Sequence, residues 1–425
     1  MKYSVEKTTA RSRNRAARNR RGLLLAGLGM VSAICGTSGI AFAQEGPPPG
    51  GMAAMMMPPP MTPIATPAIA GPLSYPITPL TLNFGPFADK IYVDGALTGL
   101  GFWQNNASRI GSDSASRLDL SNAQVFVQKT DGLIQFFVQA GIYSLPALGA
   151  PYLNSHQTEQ ATYGWVPQGF VKLAPTDSLS VEIGKLPTLI GDEYTFTFEN
   201  MNIQRGLLWN QENAVNRGVQ VNYTAGPLAF SLSLNDGYYS NRFNWIIGSA
   251  AWTIDMANTV SLVGGGNLSH TDFATSATPF FQNNGSLFNL IYTHTDGPLT
   301  VSPYFQFNSV GADPAIGILH DASATGFAVL ANYGFTDNFK LAGRVEYITV
   351  SGKGATLATS TNLLYGPGSN AFSFTVTPTY QFDIFYLRGE YSYVGAGSTT
   401  PGFAFGPRGT ATSQSRFLLE GGILF

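Results

Sequence analysis

Ser413-Gln414-Ser415-Arg416-Phe417-Leu418-Leu419-Glu420-Gly421-Gly422-Ile423-Leu424-Phe425 closes the chain, and its reading decides the fold. In an extended strand Phe417, Leu419, Gly421, Ile423 and Phe425 share one face, while Arg416, Leu418, Glu420 and Gly422 share the other. Successive side chains of a strand point to opposite sides. One side of this segment therefore suits hydrocarbon and the other carries charge, as a strand needs if lipid lies on one side and water on the other. The strand should pair with residues 384–396 on one edge and with the first strand, from Ile91, on the other. Arg416 and Glu420 should then face water, and Phe417, Leu419 and Phe425 should face lipid.

The rest of the chain has the same character. Only 11% of its 425 residues are charged, 12% are aromatic and 48 are glycine. Soluble domains carry about 25% charged residues. Yet no segment beyond the N-terminus is apolar for the ~18 residues that a membrane helix needs. A transmembrane barrel reconciles the two, because it hides its hydrophobicity in alternation. Leu228, Phe230, Leu232 and Leu234 oppose Ala229, Ser231, Ser233 and Asn235. Phe372, Phe374, Val376, Pro378 and Tyr380 oppose Ser373, Thr375, Thr377, Thr379 and Gln381. A soluble β-sandwich also alternates, but its outward face is usually richer in Lys and Glu. Here the polar face is Ser, Thr, Asn and Gln, and the apolar face is bulky and aromatic.

Turn residues give the strand count. Asp131-Gly132, Thr176-Asp177, Gly226-Pro227, Ala257-Asn258, Asp296-Gly297, Asp337-Asn338 and Phe382-Asp383 each separate two alternating segments, and such pairs suit tight hairpins. Eight longer polar stretches lie between them, near 104–115, 144–163, 187–214, 238–242, 270–283, 311–323, 351–369 and 397–412. Seven turns and eight loops connect 16 strands, with both ends on the short-turn side. The expected fold is therefore all-β, a transmembrane antiparallel barrel of about 16 strands over residues 90–425, with short periplasmic turns and long extracellular loops. Residues 244–255 alternate poorly, which leaves the count open by two.

Residues 1–43 read as a secretory signal peptide: Arg11, Arg13, Arg15, Arg18, Arg20 and Arg21, then an apolar core from Leu23 to Ile34, then Ala41-Phe42-Ala43 as a cleavage site. The competing reading is an uncleaved anchor helix, for which the core is short. Cys35, the sole cysteine, falls inside this segment, so no disulfide is expected in the exported chain. Residues 44–425 hold 15 Lys and Arg against 24 Asp and Glu, a net charge of −9, which argues against nucleic acid as a partner. Residues 44–89 are rich in Pro and Met without periodicity and read as a flexible periplasmic tail. Met52, Met55, Met56, Met57 and Met61 are soft ligands for Cu(I), although a low-complexity linker accounts for them as well; no cofactor and no metal site is expected.

Charges on the polar faces gather late in the chain: Arg344 and Glu346, Arg388 and Glu390, Arg416 and Glu420. They either line one wall of a pore or neutralise each other and brace that wall. The longest connection, residues 187–214, holds Asp192, Glu193, Glu199 and Arg205 among several aromatics. Long connections usually have a function. This one either folds inward or packs over the barrel mouth.

Three resemblances bear on this. The terminal Phe resembles that of the last strand of Gram-negative outer-membrane barrels, which implies recognition by the barrel-assembly machinery. In the general porins, 16-stranded barrels, the third long loop narrows the channel; by that resemblance Asp192, Glu193, Glu199 and Arg205 are candidate constriction residues, and a homotrimer is the expected assembly. Val181-Glu182-Ile183-Gly184-Lys185-Leu186-Pro187-Thr188-Leu189-Ile190-Gly191-Asp192-Glu193, followed by Asn216-Arg217-Gly218-Val219-Gln220-Val221, is similar to segments of the OmpL-like β-barrel porin family. That resemblance implies an outer-membrane pore and names no substrate.

Little points to catalysis. His156, His270, His294 and His320 are far apart, neither H-E-x-x-H nor G-x-S-x-G occurs, and Gly352-Lys353-Gly354 lacks the remainder of a phosphate loop. The expected function is passive diffusion of small hydrophilic solutes and ions through a water-filled channel. The rivals are a substrate-selective porin, for sugars or small ions, and a non-conducting adhesin or structural barrel.

Overall fold

The computed structural model describes residues 71–75, 79–85, 90–108, 113–353 and 360–425. Residues 1–43, read above as a signal peptide, and the five methionines of the tail lie outside these residues. A short strand β1 (Leu80–Leu82) precedes the barrel wall, which begins with β2 (Ile91–Gln104), β3 (Ser116–Lys129), β4 (Ile134–Tyr143), β5 (Gln168–Thr176), β6 (Leu179–Pro187), β7 (Val215–Ala225) and β8 (Leu228–Asn235). It continues through β9 (Trp245–Thr253), β10 (Asn258–Asn267), β11 (Gly285–Asp296), β12 (Leu299–Val310), β13 (Ala322–Gly334), β14 (Phe339–Val350), β15 (Asn370–Phe382), β16 (Phe385–Gly397) and β17 (Ser413–Leu424). Each of the 16 strands from β2 to β17 pairs antiparallel with its chain neighbours, and β17 pairs with β2 to close the barrel.

All seven expected tight turns join strands on one rim, and all eight long connections lie on the other. The closing strand has the expected partners and the expected faces. Arg388 stands opposite Glu420 on β16, and Leu419 opposite Gly101 on β2. Phe417, Leu419 and Phe425 are exposed on the outer face, whereas Arg416 and Glu420 point inward and are buried. Phe425 exchanges two backbone hydrogen bonds with Gly95, at 2.7 and 3.0 Å, and its ring lies where a Gly95 side chain would stand.

The outer surface carries exposed aromatics in two girdles. Tyr223, Trp252, Tyr333, Phe339, Tyr380 and Phe385 sit near the turn rim, and Trp103, Phe307, Phe372 and Phe417 near the loop rim. Amphipathic rings favour the headgroup level of a bilayer. The poor alternation of 244–255 has a structural cause. Trp245 and Ile247 of β9 point inward and pack with Leu189, Ile190 and Tyr238 of the loops. The wall is apolar on both sides there because loop, rather than water, lies behind it.

One boundary differs from expectation. The tail was expected to be unstructured up to residue 89, but β1 pairs with β2, Leu80 opposite Val93 and Leu82 opposite Ile91. β1 continues the edge of β2 beyond the point where Phe425 stops.

Candidate functional site: a loop across the lumen

The connection from β6 to β7 leaves the wall through a narrow neck, where the Thr188 amide donates to the Ala214 carbonyl at 3.0 Å. It then crosses the barrel interior, with single 3-10 turns at Thr197–Glu199 and Trp209–Gln211. Phe196, Phe198, Ile203, Leu207, Leu208 and Trp209 are each fully buried. Of the two dispositions the sequence left open, the inward one is adopted. Backbone carried into a barrel must find hydrogen-bond partners, and the inward charges of the wall supply them.

Arg388 donates to the carbonyls of Thr197, Asn200 and Met201 at 2.8–3.0 Å and stands 3.6 Å from Glu420. Glu420 in turn accepts from the Thr197 hydroxyl at 2.6 Å. Glu390 accepts from the Ile203 amide and from the Gln204 side chain. Glu346 accepts from the Leu208 amide at 3.2 Å. Arg344 binds Glu193 and the Gln204 carbonyl and lies 3.3 Å from Glu346. Arg416 reaches Gln104, Gln204 and the carbonyls of Ala147 and Ala150 in the β4–β5 connection. All six wall charges thus reach the β6–β7 loop, Arg416 together with the β4–β5 connection. The sequence offered pore lining or pairing between neighbours; the wall charges mainly grip loop backbone. Charge-assisted bonds of this kind are each worth about 1.5–3 kcal/mol.

The loop candidates divide. Glu193 is buried between Arg344 and the Gly206 amide, which donates to it at 2.7 Å. Glu199 caps its own turn by accepting from the Phe196 amide at 2.7 Å. Arg205 is fully buried, its guanidinium 5.0 Å from the Trp209 ring and without a hydrogen-bond acceptor among the described residues. Asp192 is surrounded by protein yet keeps solvent-accessible surface. Burial raises Asp192 to about 7 against a hydrogen bond from Ser302, and lowers Arg205 to about 10 against the pull of Glu193. Gln204 and Asn200, which tie the loop to the wall and to itself, were not singled out from the sequence; nothing in their spacing distinguishes them from other polar loop residues.

Burial also pushes Glu199 up to about 8, with the Phe196 amide and Arg205 pulling the other way. A carboxyl whose folded pKa lies above its unfolded one loses stabilisation as pH rises through the folded value. The loop should therefore loosen progressively from the ordinary carboxyl value of about 4.5 up to about 8, and no further above it. Open-channel noise is expected to rise from about pH 5 to about pH 8 and then level off, and Glu199→Gln should flatten that rise; identical profiles for the two chains would refute the assignment.

Polar inward residues on the turn-side half of the interior, among them Lys172, Glu182, Asn222, Ser261, Thr293, Asn332 and Lys340, retain partial exposure and line a vestibule below the loop. Among the described residues no group of three or more metal-binding side chains converges.

A closed antiparallel barrel with a lipid-facing exterior, aromatic girdles and a loop held across a polar interior defines an outer-membrane porin. Residues 90–425 match the family model described as "Putative beta-barrel porin-2, OmpL-like", and the chain belongs to that family. It is a porin of the Gram-negative outer membrane. Among solved structures it is similar to the outer membrane channel DcaP of Acinetobacter baumannii (8% identity, 80% of this chain and 99% of that one, TM-score 0.54). It is also similar to an anion-selective porin from Comamonas acidovorans (11%, 79% and 99%, 0.51) and to OmpT of Vibrio cholerae (12%, 79% and 98%, 0.51). At these identities the likeness is one of fold. No curated protein matches the chain in sequence.

Proposed function

We propose that the channel passes small hydrophilic solutes and ions by diffusion, and that residues 188–214 form its constriction. The observation that carries this reading is the loop itself, fixed across the lumen by Arg344, Arg388, Glu390 and Arg416 above a polar vestibule. Asp192 is the least buried of the four loop candidates, and it is the first selector a passing ion meets. Glu193, Glu199 and Arg205 set the shape and field behind it. Transport of this kind makes and breaks no bond. Residues 1–43 direct export and are cleaved after Ala43; the strand ending in Phe425 is the handle for barrel assembly; the membrane form is a homotrimer.

Deleting residues 192–209 should raise single-channel conductance in a planar bilayer. An unchanged conductance would sink the constriction. Full burial of most of the loop favours a second reading, a barrel whose resting lumen does not conduct; silent bilayers for both chains would support it. Saturable block by one solute would instead mark a substrate-selective pore.

A further inference from the structure

Inward positions of a water-filled barrel should be polar, and most here are. The apolar exceptions on β9–β14 lie behind loop side chains such as Leu189, Leu207 and Leu208; one further patch, in the turn-side half, has a different cover. Ala96 of β2, Phe126 of β3, Phe137 of β4, Tyr386 of β16 and Leu424 of β17 all point inward and form one apolar cluster. A greasy patch inside an aqueous pore is unfavourable unless something covers it. Two things do. From above, Phe196 and Phe198 of the loop pack on it, with Phe198 5.7 Å from Phe126. From below, it is covered by the N-terminal segment 71–75.

That segment lies inside the barrel. Leu73 is 3% exposed and belongs to the cluster, and Tyr75 packs against it. The Ser74 backbone pairs both ways with the Gln381 side chain of β15, its amide donating at 3.0 Å and its carbonyl accepting at 2.6 Å. Gly71 approaches the loop so closely that a side chain there would lie 2.4 Å from the Asn200 carbonyl oxygen. Asn200 offers that same carbonyl to Arg388. β1 pins the chain a few residues further on to the barrel edge.

We propose that residues 71–75 are a built-in plug. They occupy the β15–β17 and β2–β4 side of the vestibule, against the underside of the constriction loop, and leave the β5–β14 side open to water. The apolar inward residues of the patch are shared between Phe196 and Phe198 of the loop and Leu73 of the segment. This inference rests on the channel reading, and its test separates the two.

The experiment compares single-channel conductance of the full exported chain with that of a chain lacking residues 44–75, export signal and β1 kept. The shortened chain should conduct roughly twofold or more above the full one, because the widened vestibule lowers the series resistance of the pore. Equal conductance would overturn the plug and leave the channel standing; silence from both would overturn both. Two full-length variants guard against a folding defect. Leu73→Asp places a charge against the apolar patch and should reproduce the gain. Ser74→Cys with Gln381→Cys should crosslink in the membrane and hold conductance at the full-chain level. No crosslink in a folded barrel would place the segment elsewhere and refute the proposal.

Discussion

Arg344→Ala is expected to free the loop that crosses the lumen and to destabilise the barrel by about 3–5 kcal/mol, the cost of removing one partner from a buried ion pair. Arg344 is 1% exposed and stands between Glu193 of the loop and Glu346 of the wall. Without it two carboxylates share a buried site with no cation between them, and the Gln204 carbonyl loses its donor. The loop then has less reason to stay across the lumen. The urea midpoint should fall and conductance should become larger and noisier. Arg344→Lys should rescue only part of this, because an ammonium cannot reproduce the planar fork that binds several acceptors at once. Wild-type conductance and midpoint in Arg344→Ala would show that the loop is held by packing alone.

The second large effect concerns which face meets lipid. Leu262 and Ser261 are neighbours on β10. Leu262 lies outside, 45% exposed, beside Leu290 and Ala250; Ser261 points to the vestibule. Leu262→Arg should cost about 2–4 kcal/mol near the bilayer midplane, while Ser261→Arg should cost little, since the pore side is wet. Refolding into vesicles at graded urea measures both. Equal losses would mean that β10 does not separate lipid from water as the register implies.

How far the sequence could be read follows from what makes each feature local. Hairpin turns are local: Asp131-Gly132 and Gly226-Pro227 require backbone shapes that their own residues supply, and Gly132 and Gly226 both have positive φ. Strand faces are local too, so the outward set of Phe417, Leu419 and Phe425 was legible. The site was legible in part. The wall charges and the loop acids could be named, but their pairing could not, because Arg344 and Glu193 are 151 residues apart and no pattern along the chain joins them. The role of Leu73 was hidden for the same reason. A single leucine in a Pro-rich stretch has no period, and its partners Phe126 and Leu424 read as breaks in alternation until the fold brings them together. The irregular strand β9 has this origin as well: its inner face answers to Leu189 and Ile190 of a distant loop.

The seam between β2 and β17 carries a kinetic consequence. It joins groups as far apart as Gln104 and Arg416, 312 residues along the chain. Pairings of such separation form late, because the loop entropy is lost before the contacts reward it. Fourteen strands, β3 to β16, lie between β2 and β17, so this edge of β2 closes only after the strands between are in place. Open strand edges invite pairing with other chains. β1 covers Ile91–Val93 of that edge by local pairing, and Gly95 onward pairs only with β17 and Phe425. The hazardous interval in folding is therefore the one before Phe425 reaches Gly95, and a barrel with that seam open is the form expected to aggregate.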